Sequence, residues 1–456
     1  MCIRDRGTVW GSLMCTTSMD KLGKIAYSMQ DSLYKYKGVP VPPLGMVDDI
    51  INVSTVENTA RMNKCINTFI ESKKLRLSET KCFRMHIGRG HEKCPELKVH
   101  DFEMKESEKE KYLGDIIDKN GNVNATIENR KKRGQGIINE IMSIINEIPF
   151  GKFRTEVAMK LRESMFINSM LFNSEAWHGV TAANITTLEV VDQALLRAIL
   201  NAHKGTTKEF LYLETGALPI RWIIAQRRIN FLKHILSRSE NELLRKVYEA
   251  QKESPSQGDF VKLVENDLRK LGLTYEEVSS DTISKNMLKK ILRERAQSVA
   301  LAELNEQLRK STKISSIRYN KLELQDYLRT TVNKEVMNTI TALRSRCVRN
   351  IKANFPNMNK SCPHCPLKCS TENPHEDTQE HILTCTVLGG SNVDMEFVHA
   401  GSVDQRKLGE AVSKLMVRRA QLLEGEQTTT ACCLPGAIPD RSTTPGGGAT
   451  ARQTIV

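Results

Sequence analysis

The stretch "VPPLGMVDDIINVS", residues 41–54, places two adjacent carboxylates, Asp48 and Asp49, inside an apolar, β-branched run. Aspartate disfavours strands and is rarely buried without a partner. On a straight strand neighbouring side chains point to opposite faces, so two adjacent aspartates could not share a ligand. At a tight turn between two strands the backbone rotates, and both carboxylates can be presented at one edge. The sequence supplies that turn: Leu44–Val47 runs in, Ile50–Val53 runs out, and the aspartates sit between. Apolar flanks would seat the hairpin on a core and leave an anionic tip. Such a tip offers hard oxygen donors suited to Mg²⁺, which binds through one or two carboxylates plus substrate phosphates. Two such ions clamp the attacking and leaving oxygens of an in-line phosphoryl displacement. Taken alone, the fragment also fits a plain Asp-Asp turn, because aspartate is favoured in turns generally.

Working outward, residues 12–30 predict a helix, with Leu13, Met14, Met19, Leu22, Ile25 and Ala26 at helical spacing. "YKYKGVPVPPLG" then predicts short strands and turns. "TVENTARMNKCINTFIESKKLRL" predicts a second helix with an apolar stripe of Ala60, Met62, Cys65, Ile66, Phe69 and Ile70. A strand follows at "KCFRMHIG", and "EKYLGDIIDKNGNV" reads as a strand closed by an Asn120–Gly121 turn. Residues 7–120 thus form a small α+β unit. From 121 to 350 the pattern is almost wholly helical. Leu188, Val191, Leu195, Ala198 and Ile199 give a buried stripe, and "PIRWIIAQRRINFLKHILSR" a long amphipathic helix with a basic face. Pro219 suits its first turn, Gly216 the break before it, and "ESPSQGD" (253–259) a loop. Arg130–Arg133, Arg221, Arg227, Arg228, Lys233, Arg238, Lys289 and Lys290 are each expected on a solvated helix face. The fold class expected is α+β, a small mixed unit followed by a mostly helical region.

The chain has 456 residues, room for several domains. Aromatic residues make up 5%, too few for a large sandwich or barrel. A net charge of +13 makes a polyanionic partner plausible. Four of the 12 cysteines, Cys362, Cys365, Cys369 and Cys385, cluster, while Cys2, Cys15, Cys65, Cys82, Cys94 and Cys347 are scattered. This is the pattern of reduced thiols plus one metal-type group, not of a secreted disulfide framework. No apolar run approaches the roughly 20 residues of a membrane span, and no signal peptide precedes residue 30, so an intracellular chain without a membrane partner is expected. Residues 1–6, "MCIRDR", read as a non-native leader.

In "CPHCPLKCSTENPHEDTQEHILTC", Cys362-x2-Cys365 is followed after fifteen residues by His381-x3-Cys385. A two-residue gap lets both sulfurs face one ion, and His381 and Cys385 fall one helical turn apart, as tetrahedral Zn²⁺ requires. His364, Cys369 and His375 could substitute as ligands. Four N/S donors leave no open position, so the zinc reads as structural. Residues 391–425 include "DQRKLGEAVSKLMVRRAQLLE", a basic amphipathic helix. Residues 426–456 are Thr/Gly/Pro-rich with no core-forming pattern, the composition of a disordered tail. Asp394, Asp404 and Glu410 lack a nuclease-like strand pattern around them, and no Ser-His-Asp or Cys-His set, P-loop or dinucleotide fingerprint is present.

The order helix, Asp-Asp hairpin, helix, strand resembles the palm of a non-LTR retrotransposon reverse transcriptase, over roughly residues 7–425. "GTVWGSLMCTTSMDKLGK" is similar to that family's template- and nucleotide-facing loop and helix, with Gly7, Gly11 and Ser12 at matching positions and Arg6 where a glutamine is usual. "MVDDI" matches the metal motif, with Asp48 as the direct ligand and Asp49 beside it. In "KKLRLSETKC", Lys81 matches a lysine near the nucleotide phosphates, where it could donate a proton to the leaving pyrophosphate or neutralise its charge. "KYLGDIID" resembles the segment that grips the primer end, with Tyr112, Leu113 and Gly114 matching. The resemblance extends to a thumb and connector over 121–350. It also covers a Cys-Cys-His-Cys module over 351–390, preceded by the basic "RSRCVRNIKANF". It implies an RNA-directed DNA polymerase with Mg²⁺ at the palm and Zn²⁺ in the module. The implied partners are an RNA template, a DNA primer or target and deoxynucleotides, with a nuclear location during integration. The family's third metal-binding aspartate and its fingers would precede residue 7. Without them the chain by itself is expected to be inactive, since losing one member of such a constellation costs orders of magnitude. The alternative is a non-catalytic nucleic-acid-binding protein built on the basic helices and the zinc module.

Overall fold

The computed structural model describes residues 20–46, 49–87, 96–99, 102–151, 153–311, 317–331, 333–347, 414 and 417. Helix α1 occupies residues 20–27. Strands β1 (Tyr34–Tyr36) and β2 (Val39–Val41) form an antiparallel hairpin with Tyr34 opposite Val41. Its two connecting residues, Lys37 and Gly38, have φ of 47° and 84°, as a two-residue type I′ connection requires. The next hairpin joins β3 (Leu44–Met46) to β4 (Asp49–Ile51), and helix α2 (Val56–Ser72) follows.

The strand predicted at 81–88 is shorter than expected. β5 (Phe83–Arg84) pairs in parallel with β8 (Lys105–Glu106), and β6 (Lys98–Val99) with β7 (Phe102–Glu103) is a separate hairpin. The strand predicted around 112–118 is instead a hairpin of β9 (Lys109–Tyr112) and β10 (Asp115–Asp118). Leu113 and Gly114 have φ of 47° and 94°, which no continuous strand tolerates. The Asn120–Gly121 turn falls as predicted: the Gly121 amide donates to the Asp118 carbonyl, and Asp118 Oδ1 accepts from the Asn120 amide at 2.8 Å.

Among the described residues every sheet has two strands. Such ladders are marginal alone and depend on packing against helices. Here Leu22, Phe69 and Ile70 bury with Ile50 against them, and Ala26, Leu33 and Met62 form a second small cluster.

The helical region carries the main cores. Helix α3 (Asn124–Glu147) packs with α4 (Arg154–Leu161), a π-helical segment (Arg162–Ile167), α5 (Asn168–Met170) and α6 (Ala182–Leu200). Their core includes Ile127, Ile141, Phe166, Leu188 and Leu195. α3 approaches α5 closely at Gly134, where an added Cβ would lie 2.4 Å from Met170 Sδ. α6 starts on a capping box of Thr181 and Asn184, and Asn184 also donates to Asn124 of α3 at 2.9 Å.

Helices α7 (Lys208–Thr215), α8 (Ile220–Leu236), α9 (Leu243–Glu253), α10 (Phe260–Leu271), α11 (Tyr275–Ser279), α12 (Lys285–Arg309), α13 (Asp326–Thr330) and α14 (Lys334–Arg344) build the larger core. Gly216 ends α7 with φ of 66°. An added Cβ there would lie 2.4 Å from the Glu323 backbone, so both conformation and space demand glycine.

Three buried ion pairs tie these helices together. Arg162 donates Nε and Nη2 to the two oxygens of Asp192, both at 2.7 Å, and Tyr212 Oη donates to Asp192 Oδ2. Arg344 Nε and Tyr319 Oη both donate to Glu214 Oε1, at 2.7 and 2.5 Å. Arg228 Nη1 meets Asp267 Oδ2 at 2.8 Å.

The basic face expected on α8 does not exist as such. Besides Arg228, Lys233 is buried with its ammonium on the Ser280 carbonyl, and Arg227 donates to Leu171 O and Asn168 Oδ1. Arg221 pairs with Glu189 at 3.3 Å, and Arg238 with Glu242 at 3.7 Å. These cations were expected in water because helical periodicity marks a polar face without saying what packs on it. Here other helices bury Arg228 and Lys233 and partly cover Arg221 and Arg227, while Arg238 stays exposed as expected.

Among the described residues no helix is long and apolar enough to cross a membrane. Cys65, Cys82 and Cys347 are free thiols. The chain divides into two units, Met1–Val348 with Met395–Arg406, and Arg349–Asp394 with Lys407–Val456. All the strands and helices named so far belong to the first; of the second, Lys414 and Val417 are described, both helical.

Candidate active site

The carboxylate hairpin is built on a short register. Leu44 of β3 faces Ile51 of β4, Gly45 faces Ile50 and Met46 faces Asp49, so residues 47 and 48 connect the strands. Asp49 is therefore the first residue of β4 rather than part of the turn itself. The hairpin is seated by Ile50, half-buried on the Leu22–Phe69–Ile70 cluster, while Leu44, Gly45 and Met46 remain exposed. Asp49 is exposed, and among the described residues none hydrogen-bonds or pairs with its carboxylate.

A second hairpin end lies within range of that charge. The Tyr112 hydroxyl is pushed above its ordinary pKa, first by burial and then by the negative charge of Asp49. Tyr112 ends β9 opposite Asp115, with Leu113 and Gly114 as the connecting pair, both at positive φ. Glycine is needed at 114: besides its φ, an added Cβ would meet the Phe172 ring at 3.2 Å.

The turn is held from beneath by Arg130 of α3, a buried residue at 2% exposure. Its Nη2 donates to the Gly114 carbonyl at 3.1 Å and to Asp115 Oδ1 at 2.6 Å, and its guanidinium sits 5.5 Å from the centroid of the Phe172 ring. Thr126 Oγ1, also on α3, accepts from the Ile116 amide at 2.9 Å and donates to the Ile116 carbonyl at 3.1 Å. Helix α3 thus fixes the position and orientation of the β9–β10 hairpin.

Lys81 ends a 3₁₀ turn, Glu79–Lys81, and is exposed, with no hydrogen bond or ion pair to Asp49 or Tyr112. Of these residues, Asp49 and Tyr112 are linked by charge alone, and Lys81 has no hydrogen bond or ion pair to either. Gly7, Gly11, Ser12 and Asp48 lie outside the described residues, as do the four expected zinc donors, Cys362, Cys365, His381 and Cys385.

Among the described residues no group of three or more His, Cys, Asp or Glu side chains converges as a metal site. Asp49 by itself fits Mg²⁺ in donor type, an exposed oxygen anion on a seated hairpin, and would hold such an ion together with substrate phosphates.

No family model matches the chain, and neither a curated protein nor a solved structure matches it.

Charge does not separate Arg130 from Lys131, Lys132 and Arg133 beside it. A weak signal existed in the spacing: Ile127, Arg130, Gly134, Ile137 and Ile141 share one stripe of α3, so the arginine falls on the buried face. The arginine had to find its partner there, and the β9–β10 turn is that partner.

Proposed function

We propose that the described part of this chain is the palm-and-thumb portion of an RNA-directed DNA polymerase of the non-LTR type, working in nucleotidyl transfer. One observation supports the reading: Asp49, on the first hairpin, is among the charges that raise the pKa of Tyr112, which ends a strand of a hairpin distant in sequence. The resemblance requires the two to lie close, since a metal-binding hairpin must adjoin the segment gripping the primer end.

In this reading Asp48 and Asp49 would hold Mg²⁺, which when bound would polarise the α-phosphate of a deoxynucleotide. Asp49 is open to that role because among the described residues no cation pairs with it. The Tyr112–Gly114 turn positions the primer 3′ end, and Arg130 fixes the turn. Lys81, on an exposed 3₁₀ turn, would neutralise the leaving pyrophosphate.

The reading is tested by letting Fe²⁺ stand in for Mg²⁺ with ascorbate, a primer–template and a deoxynucleotide. Local radical cleavage is expected near residues 47–50 and 112–114, competed by Mg²⁺ and lost in the D48N/D49N variant. Cleavage that ignores both hairpins, or survives the double substitution, would overturn it.

A second reading, nucleic-acid binding without catalysis, is favoured by one observation. Lys285, Lys289 and Arg293 recur one turn apart on α12, exposed or half-exposed, with no acidic partner among the described residues. They form the kind of cationic row that tracks a phosphate backbone. Steep salt dependence of binding with no metal-dependent cleavage would select this second reading.

A further inference from the structure

The β1–β2 hairpin meets the helical region, and a groove of about 560 Å³ opens at their junction. That volume lies within the range of roughly 300–1,000 Å³ typical of small-ligand sites. Strand alternation puts Tyr34 and Tyr36 on one face of β1, half-buried, and Lys35 on the other, exposed. Both tyrosines line the groove, together with exposed His178 and with Gln251 of α9, while Val53 and Val247 give it apolar wall.

The walls are fixed by a clasp. Lys37, at the hairpin tip, donates its ammonium to the Ser254 carbonyl, to Ser256 Oγ at 3.3 Å and to Asp259 Oδ2 at 2.8 Å. Asp259 also accepts from the Ser256 amide at 2.8 Å, and Gln251 Nε2 donates to Tyr36 Oη at 3.2 Å. A lysine at φ of 47° is an uncommon conformation for a side-chain-bearing residue. The hairpin turn requires that conformation, and the ammonium contacts anchor the tip.

The chemistry of the groove defines its ligand. Lys37 and Asp259 neutralise each other, so no ionic ligand is demanded at its base. What remains is aromatic surface with amide and hydroxyl groups beside it, in a chain where aromatic residues are only 5% of the total. A flat, uncharged ring with hydrogen-bonding edges satisfies that combination. A net charge of +13 brings polyanions to the surface, and a polyanion carrying such rings is a nucleic acid. Its bases are free to stack on protein only where they are unpaired.

We infer that the Tyr34–Tyr36–His178 groove binds an unpaired nucleobase of a single-stranded nucleic acid. The groove uses none of the carboxylates of the polymerase reading and needs no metal, so its test can be run in EDTA, where failure of one reading is distinguishable from failure of the other.

The full chain is titrated with a fluorescent single-stranded oligonucleotide and with a blunt duplex of the same length, and a 5-iodouracil oligonucleotide is photocrosslinked and its adducts mapped. The single strand is expected to bind more tightly than the duplex, with adducts at Tyr34, Tyr36 or His178. The Y34L/Y36L variant should bind it about ten- to a hundredfold more weakly, as stacking on aromatic side chains predicts. Its salt slope should be unchanged, because no phosphate contact is removed. Y36F, which keeps the ring, should bind as the parent does. Equal binding of duplex and single strand, adducts confined to other residues, or displacement of the oligonucleotide by a proline-rich peptide would overturn the inference. Because crosslinking uses the unaltered chain, its outcome decides the matter even if the leucine variant fails to fold.

Discussion

Replacing Arg130 should release the β9–β10 turn from the helix beneath it, and the size of the effect can be worked from its contacts. The guanidinium is almost fully buried and makes a 2.6 Å charged hydrogen bond to Asp115 and a 3.1 Å bond to the Gly114 carbonyl. Hydrogen bonds to charged groups contribute about 1.5–3 kcal/mol each, and an ordinary one about 1 kcal/mol. The Phe172 ring adds about 0.5–1 kcal/mol as a cation–π partner at a site partly open to water. The 3.4 Å approaches to the Ser169 and Phe172 carbonyls are too long to count heavily. Arg130→Ala should therefore cost about 3–4 kcal/mol, since Asp115 retains partial access to water and recovers some hydration. Arg130→Met, which refills the space, should cost about 1 kcal/mol less. Urea denaturation gives the totals, and a double-mutant cycle with Asp115→Asn should show a coupling of about 1–2 kcal/mol. Amide exchange locates the effect: protection should fall at residues 112–118 well before it falls in α6 or α8. A loss below about 1 kcal/mol, no coupling to Asp115, or exchange that rises uniformly across the chain would refute the claim that Arg130 positions this turn.

Two other perturbations probe the helical scaffold and the clasp. Glu214→Ala would strand the Arg344 guanidinium, which is 1% exposed. Breaking a buried pair by removing one partner costs about 3–5 kcal/mol, so a fall of that size in the unfolding free energy is expected. A change below about 1 kcal/mol would show that Tyr319 and Tyr327 suffice around the cation. For the clasp, burial alone would raise the Asp259 pKa. The Lys37 ammonium and the Ser256 amide more than offset it and hold the carboxyl below its ordinary 3.8. A depressed carboxylate contributes stability that is full above the ordinary value and is lost as pH falls through 3.8 toward the lower folded value. Exchange protection of residues 34–41 should accordingly drop over that acid window in the parent. In Asp259→Asn it should be low already at neutral pH and flat across the same window; identical pH profiles would contradict the assignment.

The helical region was legible because helix signals are local. The break at Gly216, the start of α8 after Pro219 and the stripe through Leu188, Val191 and Leu195 are written in runs of adjacent residues, and the helices form where those runs lie. The strands were harder for the same reason reversed. "EKYLGDIID" reads as one apolar-polar run, yet its central Leu113–Gly114 pair turns back, because a glycine at left-handed φ can close a hairpin as readily as it can interrupt a strand. What selects the hairpin is the helix below it: Thr126 and Arg130 bind the backbone at Ile116 and Gly114, and neither contact can be anticipated from residues 109–118 alone.

Charge was the least legible property, and it bears directly on function. The basic residues of α3 and α8 look alike in sequence, yet they serve two different ends. Arg130, Arg228 and Lys233 are buried against a carboxylate or a carbonyl. Lys132 and Arg133, and farther along Lys285 and Lys289, stay open to water and unpaired among the described residues. A net charge therefore overstates the cations free to meet a polyanion, because a guanidinium already held by Asp192, Glu214 or Asp267 cannot also neutralise a phosphate. Asp49 shows the complementary case. Its carboxylate is exposed with no cation paired to it among the described residues, while the buried acids Asp192, Glu214 and Asp267 are each held by an arginine. Which charges are left over, rather than how many there are, decides where an ionic partner can be met, and Asp49 is one of those left over among the described residues.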